Sequence, residues 1–262
     1  MNKKFWTIIK ISAIAAILGM ALFMAACEED PTPIDTRPML ALTFDDGPHR
    51  QFTNRILDVL EEHDAKATFY VLGRFIVSEA ATIMRILDLG SEVAGHSLNH
   101  PSLAWVDHPL NTIPQSEAVI RDQLQRTSDR LVGFAKYNPP NPHFRPPYGA
   151  VNQMVLDIAK ERGYAAIGWT YDTNDWVEER RDAQIIFNDI MANAEPNGVI
   201  LLHDIWETTA AAMELVIPEL VKTYRLVTIT ELLQAHYPGA LAPGAVFGTL
   251  IGVPEDYPLI FP

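Results

Sequence analysis

Met39-Leu40-Ala41-Leu42-Thr43-Phe44 runs almost wholly apolar and then breaks into Asp45-Asp46-Gly47-Pro48. An apolar run that short, bounded by turn chemistry, predicts a strand buried on both faces. Such strands belong to parallel sheets covered by helices. The residues that follow fit this reading. Phe52, Ile56, Leu57 and Leu60 recur at helical spacing. Residues 67–72 read as a second strand, 80–89 as a helix, 92–94 as a third strand and 117–131 as a helix. Phe144 precedes the turn-rich Pro146-Pro147-Tyr148-Gly149. Further helices are expected over 153–162, 183–194 and 209–224, with Pro218 kinking the last or marking the first turn of a restart. Strands are expected over 164–169, 199–202 and 226–228, with a small helix from Thr230. Repeated β-α units predict an α/β fold, a parallel sheet with helices outside. About seven units in ~220 residues suit a barrel better than a small open sheet.

The flanks of this region read differently. Lys3 and Lys4 open the chain, residues 11–26 carry no charge, and Ala25-Ala26-Cys27 closes the run. That is the layout of a secretion signal, and the uncharged stretch is shorter than the ~20 residues of a spanning helix. Leu22-Phe23-Met24-Ala25-Ala26-Cys27 resembles the bacterial lipoprotein cleavage box, with Met24 where leucine is usual. The resemblance implies a lipid on Cys27 and an exported protein held on a membrane of the cell envelope, facing out of the cytoplasm. An uncleaved anchor or an ordinary signal are the other readings. Cys27 is the only cysteine, so no intrachain disulfide forms. The expected organisation is a signal over 1–26, a flexible acidic and proline-rich tether over 27–38, and one folded domain over 39–237. A proline-rich tail over 238–262 wraps the domain or hangs loose. The net charge of −13 argues against nucleic acid as a partner. No protein partner is inferred.

Polar residues with chemical capacity cluster just after the expected strands, where β/α barrels place their sites. Asp45 and Asp46 repel each other unless a metal ion or an arginine compensates. Asp-Gly-Pro is equally good turn chemistry. His96 and His100, four apart, can face one metal if their segment is helical. Two unrelated loop histidines are the plain alternative. Two histidines with one carboxylate make a sound zinc site with open positions, and Asp46 is the natural third ligand. Arg145 precedes a rigid turn. Asp172-Thr173-Asn174-Asp175-Trp176 reads as an Asx-type cap with Trp176 in the core, or as part of a site. His203, at the end of a buried strand, reads alone as a structural hydrogen-bonder.

In order, TFDDGP (43–48), HSLNH (96–100), RPPYG (145–149), DTNDW (172–176) and LLHD (201–204) resemble the five motifs of the NodB homology domain. These are the polysaccharide deacetylases of carbohydrate esterase family four. The resemblance spans about residues 39–233 and implies a distorted (β/α)7-type barrel with a single catalytic domain. It implies that Asp46, His96 and His100 hold a divalent metal, usually zinc. Asp45 would be the general base and His203 the general acid. Arg145 would position Asp45, and Asp175 would orient and tune His203, with Asp172 the second choice. The backbone N–H of Tyr148 would help bind the oxyanion. Leu202 and Trp176 would line the pocket for the acetyl methyl group. The implied activity is removal of N-acetyl groups from N-acetylglucosamine-containing polysaccharide.

The chemistry supports that set independently. A metal acidifies water to a pKa of about 7 and polarises a carbonyl. A tetrahedral intermediate needs electrostatic stabilisation, and a leaving amine needs an acid. An O-acetyl esterase acting on acetylated xylan would use the same groups. A catalytically dead carbohydrate-binding protein should have lost a ligand, the base or the acid, and all are present here. Loops 105–114 and 136–143 are where substrate choice is expected to lie.

Overall fold

The computed structural model describes residues 35–104, 115–137 and 141–260. The signal, Cys27, most of the tether, loop 105–114 and residues 138–140 lie outside them. Ten strands form the sheet: β1 (Met39–Asp45), β2 (Thr68–Val71), β3 (Glu92–Gly95), β4 (His143–Phe144), β5 (Ala165–Ile167), β6 (Tyr171–Asp172), β7 (Val199–His203), β8 (Arg225–Leu226), β9 (Val246–Phe247) and β10 (Leu259–Ile260). Eight helices are described: α1 (Arg50–Glu62), α2 (Gly73–Ile76), α3 (Ala80–Asp88), α4 (Glu117–Leu131), α5 (Gln153–Glu161), α6 (Ala183–Asn193), α7 (Glu207–Leu220) and α8 (Ile229–His236). Among the described residues no helix is long and apolar enough to cross a membrane.

The spatial order is β10-β9-β5-β4-β3-β2-β1-β7-β6, with β8 beside the start of β1, and every pairing between these strands is parallel. Among the described residues the barrel is a curled sheet whose edge strands, β6 and β10, do not pair with each other, in line with the distorted (β/α)7-type barrel that the resemblance implies. β1 is fully buried from Leu40 to Asp45, so it reads as an apolar run rather than an alternation.

Strand parity sorts the two faces. Leu40, Leu42, Phe44, Ile200 and Leu202 point outward into a core shared with α1, α3, α6 and α7. Ala41 and Val199 point inward with Tyr70, Ala94, Ala165 and Ile167. Small side chains on that inner face leave room for Tyr70 and Arg145. α8 closes the lower end with Ile229, Leu232 and Leu233. Its first turn is fixed by a capping box between Thr228 and Glu231. α4 matches its expected bounds, with the Ser116 hydroxyl capping Val119 N–H. α7 runs through Pro218 without restarting, because that proline sits in the last turn.

The C-terminal tail departs most from expectation. It neither hangs loose nor merely wraps: it adds β9 to β5 and β10 to β9. Val246 and Phe247 are fully buried. Gly168 permits the approach, since a Cβ there would lie 2.2 Å from the Thr249 carbonyl oxygen.

Candidate active site

The functional side chains gather at the C-terminal ends of β1, β3, β4, β6 and β7. Asp45 ends β1 facing inward. Asp46 takes a left-handed conformation (φ 73°), which breaks the strand alternation and lets both acids face one cavity. Gly47 follows because a Cβ there would meet the buried Asp204 carboxylate at 2.2 Å. Asp204, which has no role in the sequence reading, accepts from Thr53 Oγ1. Burial pushes its carboxyl up to about 7.

His96 and His100 do converge, but not through a helix. Ser97 (φ 66°) and His100 (φ 64°) are left-handed, and the loop folds back until the two rings lie 5.0 Å apart. Gln123 of α4 holds it by accepting from the N–H groups of Leu98 and Asn99, both at 3.0 Å. Nothing in the sequence pattern singles out Gln123 except a buried amide on an apolar helix face.

Nε2 of His96 and of His100 lie 3.5 and 3.3 Å from Asp46 Oδ1. His96 Nδ1 sits 2.8 Å from the Arg145 carbonyl oxygen. A carbonyl only accepts, so Nδ1 carries the proton and Nε2 presents its lone pair. Burial and then the neighbouring His100 hold His96 down at about 3, so it is neutral, as a metal ligand must be. Asp46 Oδ1 is buried and accepts no hydrogen bond. Buried polar atoms are normally satisfied. One carboxylate and two imidazoles, all within 4.8 Å of one another, fit a divalent cation.

Arg145 is wholly buried. Its guanidinium donates to Asp45 Oδ1 and Thr43 Oγ1, each at 2.8 Å, and to the carbonyls of Ile167 and Gly168. It stacks 4.1 Å over the Tyr70 ring. On the other side, His203 Nδ1 lies 2.7 Å from Asp175 Oδ1, while Asp175 Oδ2 accepts from His203 N–H and from Thr209 Oγ1. Asp172 instead accepts from Asn174 N–H in an Asx turn. Asp175 thus takes the position beside His203, whereas the expected helix cap does not form here, because Asp182 caps α6.

Residues 33–167 match the family model described as polysaccharide deacetylase. The chain belongs to the polysaccharide deacetylase family. Its sequence is 34% identical to the peptidoglycan-N-acetylglucosamine deacetylase PgdA of Listeria monocytogenes over 86% of this chain and 45% of that protein. The chain thus spans less than half the length of that relative. Its structure is similar to peptidoglycan deacetylase PdaC from Bacillus subtilis (TM-score 0.67, 33% identity, 76% of this chain and 91% of the other). It is also similar to a family 4 acetyl xylan esterase from Clostridium thermocellum in complex with a cobalt ion (TM-score 0.69, 28% identity, 80% and 98%).

In this deacetylase-family cavity of about 240 Å³, Asp45, Asp46, His96, His100, Tyr148, Trp176 and His203 all contribute to the lining. Tyr148 is left-handed (φ 59°), and its ring meets His100 edge-on at 4.5 Å. Trp176 is 44% exposed, not a core residue. Leu202 is the exception. It points into the outer core, and Leu201 lines the cavity in its place. Residues 201 and 203 share a face of β7, and 202 takes the other. Trp169 and Ile251 also line the cavity without having stood out in the sequence.

Electrostatics treats Asp45 and His203 differently. Burial raises the pKa of Asp45, with Arg145 and then His203 pulling it back. Burial works against protonation of His203, but Asp175, by charge and hydrogen bond, overrides it and raises His203 to about 9. Stability from that pair is complete below the unfolded histidine pKa and is lost as pH rises through about 9. Asp175→Asn removes the largest influence that raises His203, leaving burial opposed by Asp45 and Asp46 alone, so His203 gives up its proton at lower pH. The descending limb of the kcat–pH profile should move from near 9 toward acid by more than one pH unit. A limb that stays in place would rule out Asp175 as the tuning group.

Proposed function

We propose that the protein is a divalent-metal-dependent hydrolase that removes N-acetyl groups from N-acetylglucosamine-containing polysaccharide, such as peptidoglycan. We further propose that it works outside the cytoplasm, tethered to a membrane through lipidated Cys27, with zinc in the cluster. One observation carries the catalytic reading. A carboxylate held by a buried arginine and an imidazole held by a buried carboxylate share one cavity with the Asp46–His96–His100 cluster.

A divalent ion held by those three residues supplies Lewis acidity, which polarises the acetyl carbonyl and acidifies water. Asp45 takes the proton of the attacking water. Arg145 keeps the Asp45 carboxylate aimed by binding Oδ1, leaving Oδ2 toward the cluster, 3.7 Å from His96 Nε2. The Tyr148 N–H stabilises the developing oxyanion. His203 delivers a proton to the leaving nitrogen, and Asp175 stabilises the imidazolium until then. A histidine charged at neutral pH suits an amide, whose nitrogen leaves only when protonated. The resemblance to an acetyl xylan esterase keeps O-deacetylation as the competing reading.

Acetate release decides between them. A soluble form starting at Glu28 would be given N-acetylglucosamine oligomers, peptidoglycan and acetylated xylan, with zinc and with a chelator. Zinc-dependent release from the amide substrates is expected. Release from xylan alone would replace the reading with an esterase, and no release despite tight metal binding would favour a binding protein. For the full chain, membrane fractions that keep the protein after Cys27→Ser would overturn the lipid tether.

A further inference from the structure

The C-terminal segment reaches the catalytic cavity itself. Thr249 N–H donates to the Trp169 carbonyl at 2.8 Å. Two residues on, Ile251 N–H donates to the Gly149 carbonyl at 2.7 Å, and Val151 N–H donates to the Ile251 carbonyl at 2.9 Å. The segment is thereby clamped to both the loop carrying Trp169 and the turn carrying Tyr148. The fit is close at both contacts. A Cβ at Gly149 would lie 2.8 Å from the Trp169 indole, and one at Gly248 would lie 2.9 Å from the Trp169 backbone.

This clamp fixes where the Ile251 side chain goes. It lines the cavity that holds Asp45, His96 and His203, yet it is 38% exposed. Its backbone hydrogen bonds would hold the segment whatever the side chain. A branched apolar group left partly in water at a polar site, on a backbone that does not need it, has the properties of a wall for an apolar part of a ligand. Trp169, Trp176 and Leu201 are the other large apolar groups in the lining. An acetylated sugar offers two apolar parts, the C–H faces of its ring and the acyl methyl, and hydrolysis at the Asp46–His96–His100 cluster brings the acyl methyl into the cavity that Ile251 lines.

We propose that Ile251, delivered by the C-terminal segment, contacts the substrate acyl group and sets how long an acyl chain the cavity accepts. The proposal rests on the deacetylase reading and extends it, because it makes the segment beyond the five motifs part of the specificity apparatus. One methylene more or less against an apolar wall discriminates by about 10–200-fold, and restoring that space relaxes the discrimination accordingly.

The test reads binding before turnover. Zinc-loaded protein would be titrated calorimetrically with acetohydroxamic, propionohydroxamic and butyrohydroxamic acids, whose hydroxamate binds the metal and whose alkyl chain probes the wall. For the protein with Ile251, affinity should fall from acetyl to butyryl. Ile251→Ala should relax that fall by about tenfold or more. Ile251→Phe should steepen it. The same three acyl lengths on glucosamine oligomers give the kcat/KM ratio. An unchanged chain-length profile in both variants, with zinc stoichiometry and melting temperature retained, would overturn the proposal. Such a result would limit Ile251 to a structural or sugar-facing role. If hydroxamate selectivity shifts as expected but no N-acyl oligomer is hydrolysed, the acyl wall stands and the polysaccharide deacetylase reading falls.

Discussion

Asp45→Asn should lower kcat for acetate release by on the order of 10²–10⁴, the range for losing a general base or acid. The substitution is nearly isosteric. Its amide oxygen can still accept from the Arg145 guanidinium, which donates to Oδ1 at 2.8 Å. What it cannot do is take a proton. Zinc stoichiometry should not change, because the cluster is Asp46, His96 and His100. Parallel measurement of kcat and bound zinc therefore separates a lost base from a lost metal. A kcat within tenfold of the unsubstituted protein would remove Asp45 from its role. Loss of zinc alongside activity would reassign it as a ligand.

Arg145→Met should act mainly on stability. Arg145 has no exposure, and its ion pair with Asp45 is buried on both sides. Removing one partner of a buried pair leaves the other charge unpaired in a low-dielectric site, at a cost of about 3–5 kcal/mol. The carbonyls of Ile167 and Gly168 would lose donors as well. The urea midpoint should fall accordingly. The double change Arg145→Met with Asp45→Asn should recover part of the loss, because the stranded charge is gone. A single variant that loses less than about 1 kcal/mol would mean that Asp45 is neutral or solvated in the folded protein.

Much of this was legible before the structure. β1 shows in the sequence because a strand buried on both faces must be apolar along its length. α4 shows because it has period and length. The site shows because five motifs at successive strand ends fall in the order that resembles the polysaccharide deacetylases, although each motif alone has a plain structural reading. Other features have no signature of that kind. β6, β9 and β10 are two residues long, too short to carry a period, and only their neighbours make them strands. The histidine loop turns on left-handed Ser97 and His100, where no glycine announces a positive φ. Leu201 and Leu202 are the same residue type one step apart, so only strand parity separates cavity from core. Asp172 and Asp175 are chemically equal in the sequence, and the position of Thr209 and the β7 backbone distinguishes them. The place of Ile251 is set by hydrogen bonds to Gly149 and Val151, about a hundred residues earlier, which no local pattern records.

The placement of β1 also governs when the site comes into being. This strand carries Asp45, and it lies between β2 and β7, with β8 beside its start. Thr43 Oγ1 donates to the Ile200 carbonyl across 157 positions of chain. During synthesis one flank of β1 therefore waits, unpaired, until most of the polypeptide exists. Pairings of such separation form slowly because a long loop must close first. The same late strand brings His203 opposite Asp45. The step that completes the centre of the sheet is thus also the step that first sets His203 against Asp45. A nascent chain that ends before β7 already carries Asp45, Asp46, His96 and His100 but has no His203 to set against them.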